Sequence, residues 1–206
     1  PQATPGRKVA IVHDWLTGMR GGERVLEALL DLYPEADIFT HVYVPEAVSE
    51  KIRARTVRTT FIDRLPRAAR WYQSYLPLMP WALERLDLSA YDLVISSSHA
   101  VAKGVVTGET QRHVCYCHSP MRYAWDMREE YLREAGMSKG LRGQVARFLL
   151  ERMRRWDLAN STGVDAFLAN SAFIAERIKR SYGRTAVVVY PPVDTEYFTP
   201  SGAKED

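Results

Sequence analysis

The stretch Cys115-Tyr116-Cys117-His118-Ser119-Pro120-Met121-Arg122 concentrates reactive side chains: two thiols, an imidazole, a hydroxyl and a guanidinium in eight positions. With His113 it offers four candidate metal ligands, His113, Cys115, Cys117 and His118. In an extended strand, however, His113, Cys115 and Cys117 share one face about 6.7 Å apart. Zinc needs its ligands within about 2.3 Å of one point, and His118 points to the opposite face. No metal is therefore expected, and the cysteines read as small core residues. His118 closes the strand. A polar residue at a strand end faces either the core as a satisfied structural histidine or a crevice, where imidazole suits acid–base or hydrogen-bonding work.

A second candidate is Gly18-Met19-Arg20-Gly21-Gly22-Glu23-Arg24. It joins a strand to a helix, so an anion could sit on the helix N-terminus; the plain alternative is a tight connection. It matches neither G-x-G-x-x-G nor G-x-x-x-x-G-K-[ST], which argues against a nicotinamide or P-loop site.

These residues need elements to hold them. Short β-branched runs mark strands at 8–13, 37–44, 57–62, 92–98, 113–118, 166–170 and 186–190. Helical spacing marks 23–33, 141–156 and the stretch capped by Ser171 and running to Tyr182. Strands alternating with helices imply an α/β, Rossmann-like doubly wound sheet of about seven mostly parallel strands. Ligands bind such sheets beyond the carboxyl ends of the strands. In 141–156, Val145, Phe148, Leu149, Met153 and Trp156 read as the inward face and the arginines as the outward one. Residues 67–86 read as helical, kinked or split by Pro77 and Pro80. Their apolar stripe is too wide for a single core face. Either it is all core, or Trp71, Leu78 and Trp81 meet a membrane interface with Arg67 and Arg70 near lipid phosphates.

The chain has 206 residues and a net charge of +3, so no long-range field calls for nucleic acid. The arginine clusters at 53–70 and 142–155 fit phosphate or anionic lipid, or simply a solvated helix face. Two cysteines and no signal-peptide pattern suggest a reducing, cytoplasmic setting. Residues 1–192 read as one domain, and 193–206 as a linker or the start of a further one.

The segments "KVAIVHDWLTGMRGGERVLEALL", "DLVISSSHAVAKG", "HVCYCHSPMRYAWD", "FLANSAFIAERI" and "VVVYPPVDTEYF", in that order, resemble the N-terminal domain of retaining family 4 glycosyltransferases of GT-B fold. "CHSPMRYAWD" is similar to bacterial mannosyltransferases of surface polysaccharide synthesis. The resemblance implies an acceptor-binding half and a missing C-terminal half that binds the sugar nucleotide, GDP-mannose by this likeness. It implies a glycan or polyprenyl-linked acceptor at the inner face of the plasma membrane. No cofactor is implied, because the sugar nucleotide is a substrate. By resemblance, His118 contacts the transferred sugar. Gly21 and Gly22 admit the diphosphate or acceptor, Ser119 and Arg122 bind acceptor phosphate or hydroxyls, and Asp14 and Asn170 border the crevice. Glu27 and Glu35 have the spacing of the family's donor glutamates but lie in and just after the first helix, where the match is coincidence. The competing reading is a non-catalytic membrane- or partner-docking module that works with a separate donor-domain chain.

Overall fold

The computed structural model describes residues 7–134, 136, 139–193 and 195. Most of the expected linker, 193–206, lies outside the described residues. In chain order the strands are β1 (Val9–His13), β2 (Asp37–Thr40), β3 (Val57–Thr59), β4 (Leu93–Ser98), β5 (Arg112–Cys117), β6 (Ala166–Ala169) and β7 (Ala186–Val188). The helices are α1 (Gly21–Leu32), α2 (Glu50–Arg53), α3 (Ala68–Trp71), α4 (Met79–Leu83), α5 (Arg128–Glu134), α6 (Gly140–Asn160) and α7 (Ala172–Tyr182).

The strands form one sheet in the order β3-β2-β1-β4-β5-β6-β7. Every pair in it is parallel. Both faces are covered, so β1 is buried throughout and apolar up to His13 rather than alternating. Val9 and Ile11 face one core with Leu26 and Leu30 of α1. Ala10 and Val12 face the other, with Tyr72, Leu76, Met79 and Leu83. Each fully buried leucine contributes about 1.5–3 kcal/mol. A third cluster seats α7 on β5 and β6 through Cys115, Cys117, Phe167, Ile174 and Ile178. Ser171 caps α7 by accepting the Ile174 N–H at 3.3 Å. Gly183 ends it in the left-handed region, at φ 67°.

Two expectations are sharpened. Residues 67–86 are split rather than kinked. They form α3, a 3-10 stretch Tyr72–Leu78 and α4. Pro77 denies the 3-10 stretch an α-helical hydrogen bond, and Pro80 lies in the first turn of α4, where a missing N–H costs nothing. Arg67 stands before α3 at φ 54°.

The second change is in α6. Val145 and Phe148 point outward, 50% and 66% exposed. The buried stripe is Gly143, Leu150, Met153 and Asp157. Asp157 sits inward because Lys103 is buried against it, Nζ to Oδ1 2.7 Å. Trp125 Nε1 and the Tyr182 hydroxyl also donate to Asp157 Oδ2, at 2.7 and 2.8 Å. Next to Lys103, Gly104 lies so close to the Trp156 ring that a Cβ there would sit 2.2 Å from it. Only glycine fits that approach.

Candidate functional site

A cavity of about 600 Å³ opens at the carboxyl ends of the central strands. One wall is polar: Gly21, Gly22 and Glu23 from α1, with His99, His118 and Asn170 following β4, β5 and β6. The other is largely aromatic and apolar, with Trp15, Leu76, Tyr123, Met127 and Tyr131. Arg122 lies between them with its side chain exposed.

The first N–H groups of α1 have no acceptor inside the helix. The Arg20 N–H is taken by Glu23 Oε2 at 2.9 Å. Those of Gly21 and Gly22 border the cavity. A Cβ added at Gly22 would lie 3.4 Å from the His13 ring and 3.7 Å from His118 Nε2. It would not clash, but it would occupy the floor between the two imidazoles.

His118 is the hub of a connected set. Its backbone N–H donates to Ser98 O at 2.8 Å, continuing the β4–β5 ladder. Its carbonyl accepts from Asn170 Nδ2 at 3.1 Å, which ties β5 to β6. Its Nε2 meets Ser97 Oγ at 2.9 Å, and that hydroxyl meets His13 Nδ1 at 3.0 Å. His13 Nε2 in turn lies 3.7 Å from Glu23 Oε1. Burial, helped by the neighbouring rings of His13 and His99, pushes the His118 imidazole down to about 3. It is therefore neutral at ordinary pH, and hydrogen bonds rather than charge are what it offers a ligand. His99 is also held below its ordinary value, chiefly by burial.

Asp14 and Ser119 do not line the cavity. Asp14 is buried and accepts the N–H groups of His99, Ala100, Val101 and Ala102 at 2.7–2.9 Å. Its carboxylate is saturated, so it positions the segment after β4 and leaves nothing for a ligand. Ser119 Oγ donates to the Pro120 carbonyl and accepts from Arg177 Nη1 at 3.1 Å. Gly21, Gly22, His118, Arg122 and Asn170 are brought together on the cavity.

Sequence reasoning missed His13, Trp15, Glu23 and Tyr123. His13 could have been flagged as the polar residue closing an otherwise apolar strand. Cys115 and Cys117 are buried and free. A hydrogen bond with Cys115, and then burial, raises the Cys117 thiol far above its ordinary value. Among the described residues no group of three or more His, Cys, Asp or Glu side chains is arranged to hold a metal ion. No helix among them is long and apolar enough to cross a membrane.

Trp71, Leu78 and Trp81 are surface residues, 45%, 45% and 48% exposed. The Arg67 guanidinium lies 4.8 Å from the centre of the Trp71 ring, and that of Arg85 3.7 Å from the Trp81 ring. Arg70 is exposed beside them.

The likenesses to known proteins agree with this architecture. A crystal structure of Anabaena Alr3699/HepE in complex with UDP superposes with a TM-score of 0.53 at 12% identity, over 94% of this chain and 46% of that one. A second, with UDP and glucose, gives a TM-score of 0.47 at 14% identity, over 95% and 47%. The chain thus spans about half the length of these proteins. The first superposition shows the fold, one half of a GT-B architecture. No curated protein matches the chain. A family model described as Glycosyltransferase Family 4 matches residues 19–197.

Proposed function

The chain belongs to Glycosyltransferase Family 4, and from that membership we propose that it is the acceptor-side half of an enzyme that moves a hexose from a sugar nucleotide to a glycan or lipid-linked acceptor. The observation that carries this reading is the cavity, which sets the N-terminus of α1 opposite neutral His118. The helix end suits a diphosphate, the imidazole suits a sugar hydroxyl, and the aromatic wall suits the apolar face of a sugar ring or a lipid. The UDP bound by the HepE protein supports a nucleotide-linked donor. The likeness of "CHSPMRYAWD" to mannosyltransferases favours GDP-mannose.

The reaction proposed is transfer with retention. The bond from the anomeric carbon to the diphosphate oxygen breaks, and a bond to the acceptor oxygen forms on the same face. The acceptor proton passes to the departing phosphate. The protein's part is positioning and electrostatic stabilisation, with no protein nucleophile and no metal. Mass spectrometry of products from the full-length protein, given a panel of sugar nucleotides and a lipid-linked acceptor, tests this. Mannosylated acceptor is the expected product. A product from another donor corrects the sugar, and no product from any donor removes the transferase reading.

The exposed Trp71, Leu78 and Trp81 with Arg67, Arg70 and Arg85 favour an accompanying role, docking on an anionic membrane surface. Indole rings partition to the interface and guanidinium groups pair with lipid phosphates. The protein should float with anionic liposomes, and a Trp71→Ser, Trp81→Ser double variant should stay behind. Equal flotation of both would show that this face does not meet lipid.

A further inference from the structure

The set Glu23, His13, Ser97 and His118 has a direction. Ser97 Oγ carries a single hydrogen and lies between two ring nitrogens, His13 Nδ1 at 3.0 Å and His118 Nε2 at 2.9 Å. It can donate to only one of them. The far nitrogen of His13, Nε2, is buried without a hydrogen-bond partner among the described residues. The Glu23 carboxylate lies 3.7 Å from it. In a neutral imidazole the one ring proton goes to one nitrogen or the other. A carboxylate beside Nε2 favours a proton there and opposes a bare lone pair. That leaves His13 Nδ1 as an acceptor, so Ser97 donates to it. The Ser97 oxygen must then accept from His118, whose proton therefore sits on Nε2. The remaining nitrogen, His118 Nδ1, is left bare. It has no hydrogen-bond partner among the described residues and is not one of their buried unpaired atoms, and its ring lines the cavity.

We propose that Glu23, His13 and Ser97 are positioning residues that fix the tautomer of His118, so that it meets the ligand through an unprotonated Nδ1 that accepts a hydrogen bond. A bare lone pair takes the hydrogen of a sugar hydroxyl and repels a phosphate oxygen. The relay thus sorts the two ends of a sugar phosphate: hydroxyls to His118, phosphate to the N–H groups of Gly21 and Gly22 and to Arg122. This use of the relay rests on the sugar-transfer reading; the tautomer itself does not. A second proton on His13 would occupy Nδ1, turn Ser97 around and make His118 Nδ1 a donor.

Heteronuclear NMR of isotope-labelled histidine tests it, at a pH well above the ordinary histidine value of about 6.5. The chain has five histidines, so single replacements assign the signals. The expected spectrum shows His118 protonated on Nε2 alone, and a Ser97→Ala variant loses that single-tautomer signature. A wild-type His118 protonated on Nδ1, or an unchanged tautomer in folded Ser97→Ala, overturns the relay. If Ser97→Ala does not fold, the wild-type spectrum decides. Since the spectrum needs no substrate, failure of sugar transfer and failure of the relay are read separately.

Discussion

Asp14 holds His99 from two directions: its Oδ2 accepts the His99 backbone N–H at 2.7 Å and lies 3.1 Å from the His99 ring Nδ1. Three further N–H groups converge on the same carboxylate. Asp14→Asn keeps one acceptor oxygen and turns an NH2 group toward donors. Unsatisfied buried donors cost about 1–3 kcal/mol each, so a loss of roughly 3 kcal/mol is expected in urea denaturation. Burial acts to raise the Asp14 carboxyl, but His99 and the backbone donors outweigh it and hold it below 3.8. Its folded value is depressed. Its contribution is therefore complete above the ordinary carboxylate range and lost as pH falls through the lowered value. Wild type should lose more stability there than Asp14→Asn.

Acid should act earlier through the buried histidines. Burial lowers His41 and His113 to about 4, and His118, by burial and the rings beside it, to about 3. The unfolded chain takes up protons near 6.5 while these groups in the native state do not. Stability is full above that value and declines as pH drops toward about 4. Urea midpoints from pH 7 down to about 4 should fall steadily. In His41→Asn the slope should be shallower, whatever its starting stability.

Gly22→Ala separates folding from binding. Its Cβ meets the His13 and His118 rings at ordinary contact distances, and alanine favours a helix over glycine by about 1 kcal/mol. Thermal stability should hold or rise slightly. Affinity for the sugar nucleotide in the full-length protein should fall about tenfold or more, the effect of losing about 1.4 kcal/mol. His118→Ala in the same protein should cut turnover by about a hundredfold while circular dichroism stays native. Near-normal turnover by folded His118→Ala would remove the imidazole from the reaction.

Lys103→Met leaves Asp157 as a buried charge with only the Trp125 and Tyr182 donors. Removing one partner of a buried pair costs about 3–5 kcal/mol. A loss of that size in the unfolding free energy is expected; a variant as stable as wild type would show the pair contributes nothing.

Much of the fold was legible because parallel strands buried on both faces write themselves as β-branched runs, and seven such runs became seven strands. His118 was legible for the same reason: it is the polar residue that ends one of them. What stayed hidden depends on partners far away in sequence. Nothing near Glu23 announces His13 as its neighbour, and nothing near Ser97 announces two imidazoles. The inward placement of Asp157 accompanies a shift of the α6 buried stripe that leaves Met153 inward but turns Val145 and Phe148 outward, since a hydrophobic pattern counts a carboxylate as solvent-facing and knows nothing of Lys103. Asp14 was expected on the crevice from the family likeness alone, and its four backbone donors, far away in sequence, were not visible.

The adjacency of β1 and β4 has a consequence for how the protein is made. His13 and Ser97 are 84 positions apart, and His118 comes later still. Closing so long a loop costs entropy before any contact rewards it. A chain leaving the ribosome carries the glycine turn and α1 long before the residues that give that turn a purpose. A state that holds only β1, β2 and β3 therefore lacks His99, His118 and Asn170, and with them the cavity.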